Sequence, residues 1–229
     1  VEARCGVRMS ASARPGAAIA VFVSSLCRPN QVVTLSHADF SFSARTDGRG
    51  VFLTTIPAFT SLATIDVVFD DGATANAQVA LRDATDLERL AIVWSVPVNL
   101  DLHAFEGNAT EKSVGHVWVN NQRNYRDTLI GGGGFLETFG DSTIEGGTMA
   151  EVYSLPTSRI RRQTSVGLDL RINDIEAYCG KQMALRTVRS QNGGEITKRE
   201  FNLRLPQCGT ASGGLILEDF VANIGVASN

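Results

Sequence analysis

Apolar and polar side chains alternate with a period of two in segment after segment, and the segments are too short and closely spaced for helices. This pattern predicts strands at 17–23, 31–36, 40–44, 51–55, 63–69 and 73–81, with Asp71-Gly72 as the tight turn between the last two. A polar run at 82–89 (R-D-A-T-D-L-E-R) then interrupts it, with room for one helical turn. Alternation resumes at 90–96, 99–105, 114–120, 134–139, 150–155, 165–172, 182–189, 195–205 and 215–224, and Asn192-Gly193-Gly194 marks another hairpin. Roughly six or seven strands before the polar run and about nine after it fit an all-β chain of two tandem β-sandwiches. The reading is a smaller sandwich over residues 1–83 and a larger one over 90–229.

The stretch 94–120 carries the most chemistry. Its alternation puts Leu100, Leu102 and Ala104 on one face and Asn99, Asp101 and His103 on the other; His116, Trp118 and Asn120 share a face of the return strand. A loop centred near Ala109 sets His103 across from His116 and Asp101 across from Trp118. Two imidazoles and a carboxylate in that arrangement suit a divalent metal such as zinc, nickel or copper, with Asp101 as third ligand. The competing reading, preferred on sequence alone, is a solvated polar face with satisfied histidines and no metal. A solvated pair would tolerate His103→Ala within ~0.5 kcal/mol.

Composition and charge narrow the setting. With 229 residues there is ample core for one large or two small domains, and a net charge of −3 gives no electrostatic case for nucleic acid or an anionic membrane surface. The longest apolar run, 16–23, falls far short of the ~20 residues of a membrane helix, so no transmembrane segment is expected. No basic-plus-apolar leader opens the chain at Val1-Glu2-Ala3, as in a trimmed mature protein. The cysteines group locally as Cys5 with Cys27 and Cys179 with Cys208, without C-x-x-C spacing; the reading is two disulfides and a secreted or periplasmic location.

Two resemblances add to this. Ala44-Arg45-Thr46-Asp47-Gly48-Arg49-Gly50-Val51-Phe52 resembles the T-D-x-x-G-x-F signature of transthyretin-like and carboxypeptidase-regulatory-like sandwiches. There Asp47 would bond the turn backbone, Gly48 and Gly50 would accept positive φ, and Phe52 would point into the core. That resemblance implies a structural or positioning module without chemistry of its own. In the second half Trp94, Leu100-Asp101-Leu102-His103, the run Gly131 to Gly134 and, loosely, Met149-Ala150-Glu151-Val152-Tyr153 are similar to a group of secreted or periplasmic bacterial sandwich domains with no assigned activity. Asn99 stands where that pattern has its first Asp, which weakens a two-carboxylate metal site carried over from it.

Other clusters have bland competitors. Glu137, Asp141, Glu145 and Glu151 among glycines could offer calcium oxygens, but the dense D-x-D-x-D-G spacing is absent and a solvated loop is preferred. The run Gly131 to Gly134 lacks the Lys-Ser or Lys-Thr of a phosphate cradle and reads as a bend before a strand. Arg159, Arg161 and Arg162 read as a charged sheet edge as readily as a seat for an acidic partner. No G-x-S-x-G elbow is present. Two function classes follow. The preferred one is a non-catalytic extracytoplasmic binding or surface-assembly module, with a protein or glycan partner at its loops and edges. The alternative is a metal-binding protein or metal-dependent hydrolase centred on Asp101, His103 and His116.

Overall fold

The computed structural model describes residues 5–157, 165–191, 195–210 and 214–218. It is all-β: four sheets, every strand pair antiparallel. One sheet runs β1 (Arg8–Arg14), β2 (Ala18–Ser24), β5 (Val51–Pro57), and a second runs β4 (Phe40–Arg45), β3 (Val32–His37), β6 (Leu62–Phe69), β7 (Thr74–Ala80). A five-stranded sheet follows in the order β11 (Phe135–Phe139), β12 (Thr148–Pro156), β8 (Leu87–Ser95), β14 (Gln182–Gln191), β15 (Glu195–Arg204). The fourth is β10 (His116–Val117), β9 (Asn99–Glu106), β13 (Val166–Asn173), β16 (Leu215–Leu217). Both expected disulfides, Cys5–Cys27 and Cys179–Cys208, are formed. No helix among the described residues is long and apolar enough to cross a membrane.

Alternation dictates which faces are buried. In β6, Ala63, Ile65, Val67 and Phe69 are buried while Leu62, Thr64, Asp66 and Val68 face outward. Each fully buried Ile or Phe of this kind contributes ~1.5–3 kcal/mol. Strand β8 departs from the pattern: all its residues but Ser95 are buried. Its Ala91 and Val93 join the apolar cluster of the first two sheets, and its Leu90, Ile92 and Trp94 join the cluster between the third and fourth. Hydrogen-bonded strand pairing stops on either side of residues 81–86, whereas apolar packing runs across them.

The polar run at 82–89 therefore has an unexpected environment. Ala84–Asp86 forms one 3-10 turn, and Asp83 accepts hydrogen bonds from the Gly16 and Ala17 amides at 2.9 and 2.8 Å. Arg89 is fully buried in β8 and donates to Ser154 Oγ (3.0 Å) and to the carbonyls of Gly16 (2.6 Å), Ala17 (3.0 Å) and Ala58. Its polarity belongs to a buried tie between sheets.

Other departures have local causes. Strand β1 (R-M-S-A-S-A-R) carries no large aliphatic alternation and was not foreseen. The strand expected at 114–120 shrinks to His116–Val117, after which the chain turns, with Asn121 N donating to Trp118 O at 2.8 Å. The helix α1 (Tyr125–Gly131) was also unforeseen, although N-Y-R-D spells its capping box. Asn124 Oδ1 accepts from the Arg126 and Asp127 amides, and Asp127 returns the bond to the Asn124 amide. A second short helix, α2, spans Ile175–Tyr178. In the 47–50 turn, Asp47 Oδ1 takes the Arg49 and Val51 amides, both at 2.8 Å, and Gly50 has φ +74°. Gly48, expected to share that conformation, is not in the left-handed region. The turn at 192–194, the arginines at 159, 161 and 162, and the strand beyond residue 218 lie outside the described residues.

Candidate functional site

Strand β9 divides as its alternation requires: Leu100, Leu102 and Ala104 enter the core, and His103 and Phe105 face the other way. Its return partner is offset from the expectation. His116 pairs with Phe105 and Val117 with Ala104, because the Glu106 amide bonds to Gly115 O (3.0 Å) and tight turns at Glu106–Ala109, Thr110–Ser113 and Ser113–His116 consume the loop. An offset of two residues keeps the side chains on the same face. His103 and His116 are thus diagonal rather than opposite, and they touch: His103 Nδ1 lies 2.8 Å from His116 Nε2, with ring centroids 4.9 Å apart.

Aromatic rings close over the pair. Phe105 lies parallel to the His116 ring at 4.4 Å, and Trp118 stacks at 5.4 Å on His116 and 5.1 Å on His103. The result is relative exposures of 3% for His103 and 0% for His116, not the solvated face expected. The loop supplies the remaining cover. Glu111 forms an ion pair with Arg171 of β13 and brings Oε2 to 3.6 Å from His116 Nδ1.

Hydrogen bonding assigns the protons. The Lys112 amide donates to His116 Nδ1 at 2.9 Å, so the neutral His116 ring carries its proton on Nε2 and gives it to His103 Nδ1. His103 then carries its own proton on Nε2. Both rings are held neutral. Burial, reinforced by the Arg171 charge and the His116 neighbour, pushes His103 down to about 4, and burial likewise lowers His116. The ion pair with Arg171 holds Glu111 below the usual carboxylate range.

The other sequence candidates disperse. Asp101 accepts a 2.6 Å bond from Asn173 Nδ2 and is absent from the cluster; among the described residues the grouping with metal-ligand potential is His103, Glu111 and His116, with ligand atoms within 4.8 Å of one another. Glu137 and Glu151 do not converge. Glu137 shares its face of β11 with Phe135 and Phe139, and burial raises its carboxyl's proton affinity beside Arg89. Glu151 shares its face of β12 with Met149 and Tyr153, accepts the Leu102 amide at 2.6 Å, and is pushed up to about 7 by burial. Asp141 caps its own turn through Thr143, and Glu145 is exposed. The glycine run ends α1 at Gly132 (φ +73°) and leads into β11; the Gly134 amide donates to Glu106 Oε1 at 2.6 Å. Glu106 also takes Tyr153 Oη–H (2.8 Å) and Arg123 (2.9 Å), making a buried tie that sequence reasoning missed. Glu111 was missed as well, since a loop carboxylate has no period to reveal it.

Comparison with known proteins adds no identity. No protein-family model matches the sequence, and no curated protein matches it. A solved chain titled "Crystal Structure of Rst D1-D2" aligns over 88% of this chain and 99% of its own, at 8% identity and a TM-score of 0.22, a likeness too slight to carry an argument.

Proposed function

We propose that this chain is a non-catalytic extracytoplasmic binding or surface-assembly module whose partner, a protein or glycan, docks on exposed sheet faces and loops. The observation that carries this reading is the closure of the His103–His116 pair. A general base or nucleophile activator must reach the proton it moves. Here three of the four ring nitrogens face one another or the Lys112 amide, beneath Phe105 and Trp118. Of the carboxylates with raised proton affinity, Glu151 is buried and Glu137 is half-buried beside Arg89.

Exposed binding surface exists elsewhere. The outer face of β1, β2 and β5 forms an open groove of about 450 Å3 lined by Ser10, Ser12, Arg14, Phe22, Leu53 and Thr55. Phe22 and Leu53 stand 39% and 68% exposed there, an apolar pair rimmed by hydroxyls and a cation. Two disulfides support an extracytoplasmic setting.

The test is binding to glycan arrays and cell-envelope fractions by wild type, Phe22→Asp and Leu53→Asp, beside hydrolase assays on ester, phosphoester, glycoside and peptide substrates. Saturable binding weakened by both variants, without loss of thermal stability, is expected. Turnover abolished by His103→Ala would overturn the reading.

A further inference from the structure

We propose that His103, His116 and Glu111 form a zinc site in which the metal takes the place of the hydrogen bond between the two imidazoles. The argument starts from the donor set. Two imidazole nitrogens and a carboxylate oxygen within 4.8 Å of one another are a zinc complement, three protein ligands that leave the fourth position to water. Zinc at ~2.0–2.1 Å from each of two nitrogens in tetrahedral geometry requires them ~3.3 Å apart. His103 Nδ1 and His116 Nε2 are 2.8 Å apart, so the nitrogens must part by about half an ångström and the rings must turn until both lone pairs converge on the metal.

The protons balance without loss to solvent. His103 keeps its proton on Nε2 and offers the Nδ1 lone pair directly. His116 moves its proton from Nε2 to Nδ1, where the Lys112 amide now donates, so that amide must turn away. Lys112 is exposed and sits at φ +60° in a largely exposed loop, the segment best placed to yield. Glu111 Oε2 now lies 3.6 Å from His116 Nδ1 and completes the protein's share by swinging with its exposed loop toward the Nε2 side of the ring, while its other oxygen keeps Arg171. A water fills the fourth position. The net ligand charge of −1 leaves the site at +1, and Arg171 beside it opposes the cation. Affinity is therefore set by how well Glu111 offsets Arg171, which makes Glu111 the informative residue.

Zinc chloride alone, added to the chelator-treated full chain, is the probe, read by isothermal titration and by 15N shifts of the imidazoles. One zinc per chain is expected, with metal-type shifts at His103 Nδ1 and His116 Nε2 and movement of the Lys112 amide resonance. Glu111→Gln, an exposed loop change that spares the core, is expected to weaken binding at least roughly tenfold. His116→Asn should abolish it. Absence of binding at micromolar zinc, or equal binding by wild type and Glu111→Gln without imidazole shifts, would overturn the site.

Discussion

Glu151 and His103 oppose one another in their response to pH, and each gives a sharp test at the level of one side chain. Glu151 has its proton affinity raised from an ordinary 4.5 to about 7 by burial. A group raised in the folded state stabilises below its unfolded value, and that contribution is lost as pH rises through the folded value. Glu151→Gln, which keeps an acceptor for the Leu102 amide, should therefore be more stable than wild type above pH 7, by up to ~3 kcal/mol in urea denaturation. The difference should vanish near pH 4.5, the ordinary carboxylate value. His103 runs the other way: lowered from 6.5 to about 4, it stabilises above the unfolded value, and its contribution is lost as pH falls through that window. His103→Ala leaves the buried His116 Nε2–H without its acceptor, so a loss of ~1–3 kcal/mol is expected at neutral pH, beyond the ~0.5 kcal/mol of a solvated pair. That the two rings share a face was legible from alternation; the expected register, which rested on a loop centred near Ala109, was off by two residues. Their burial was not legible, because it depends on where Phe105 and Trp118 stack on them.

At the scale of elements, period-two alternation located nearly every strand, and its failures mark where other physics decides. Strand β1 has Met9 as its one large apolar residue and is held by pairing with β2; β10 is cut short by turns at both ends. The return register slipped by two because the 107–115 loop is wound into successive tight turns, and loop winding leaves no periodic trace. The turn into β5 was the better-read feature, through Asp47 and the T-D-x-x-G-x-F pattern. At Gly50 a Cβ would collide with the Ser25 carbonyl, and the backbone there has φ +74°. Gly50→Ala should lower stability by about 2–3 kcal/mol, as backbone strain and overpacking do, with a matching drop in the midpoint of thermal denaturation.

For the whole molecule, the all-β class and the two local disulfides were readable from pattern and cysteine spacing. The environment of residues 82–89 was not. Arg89 finds acceptors 65 to 73 residues away in β12 and in the turn before β2, and no local signal distinguishes such a tie from a solvated arginine. Because β8 faces two apolar clusters at once, loosening this tie should affect both sets of sheets. Arg89→Met removes the buried charge but strands the Gly16, Ala17 and Ala58 carbonyls, and a loss of ~3–5 kcal/mol is expected. Calorimetry should show one lowered transition; a variant in which only residues 87–217 lose stability would contradict the shared packing.

The closed, neutral imidazole pair carries the functional reading, and its nitrogens can be observed directly. Long-range proton–nitrogen correlation spectra across an acid titration of the metal-free protein report protonation and tautomer ring by ring. The account predicts His116 protonated on Nε2 only, His103 on Nε2 with its Nδ1 hydrogen-bonded, and half-protonation of His103 only near pH 4. Both rings titrating near the ordinary 6.5, with the averaged shifts of solvent-exposed imidazoles, would contradict it.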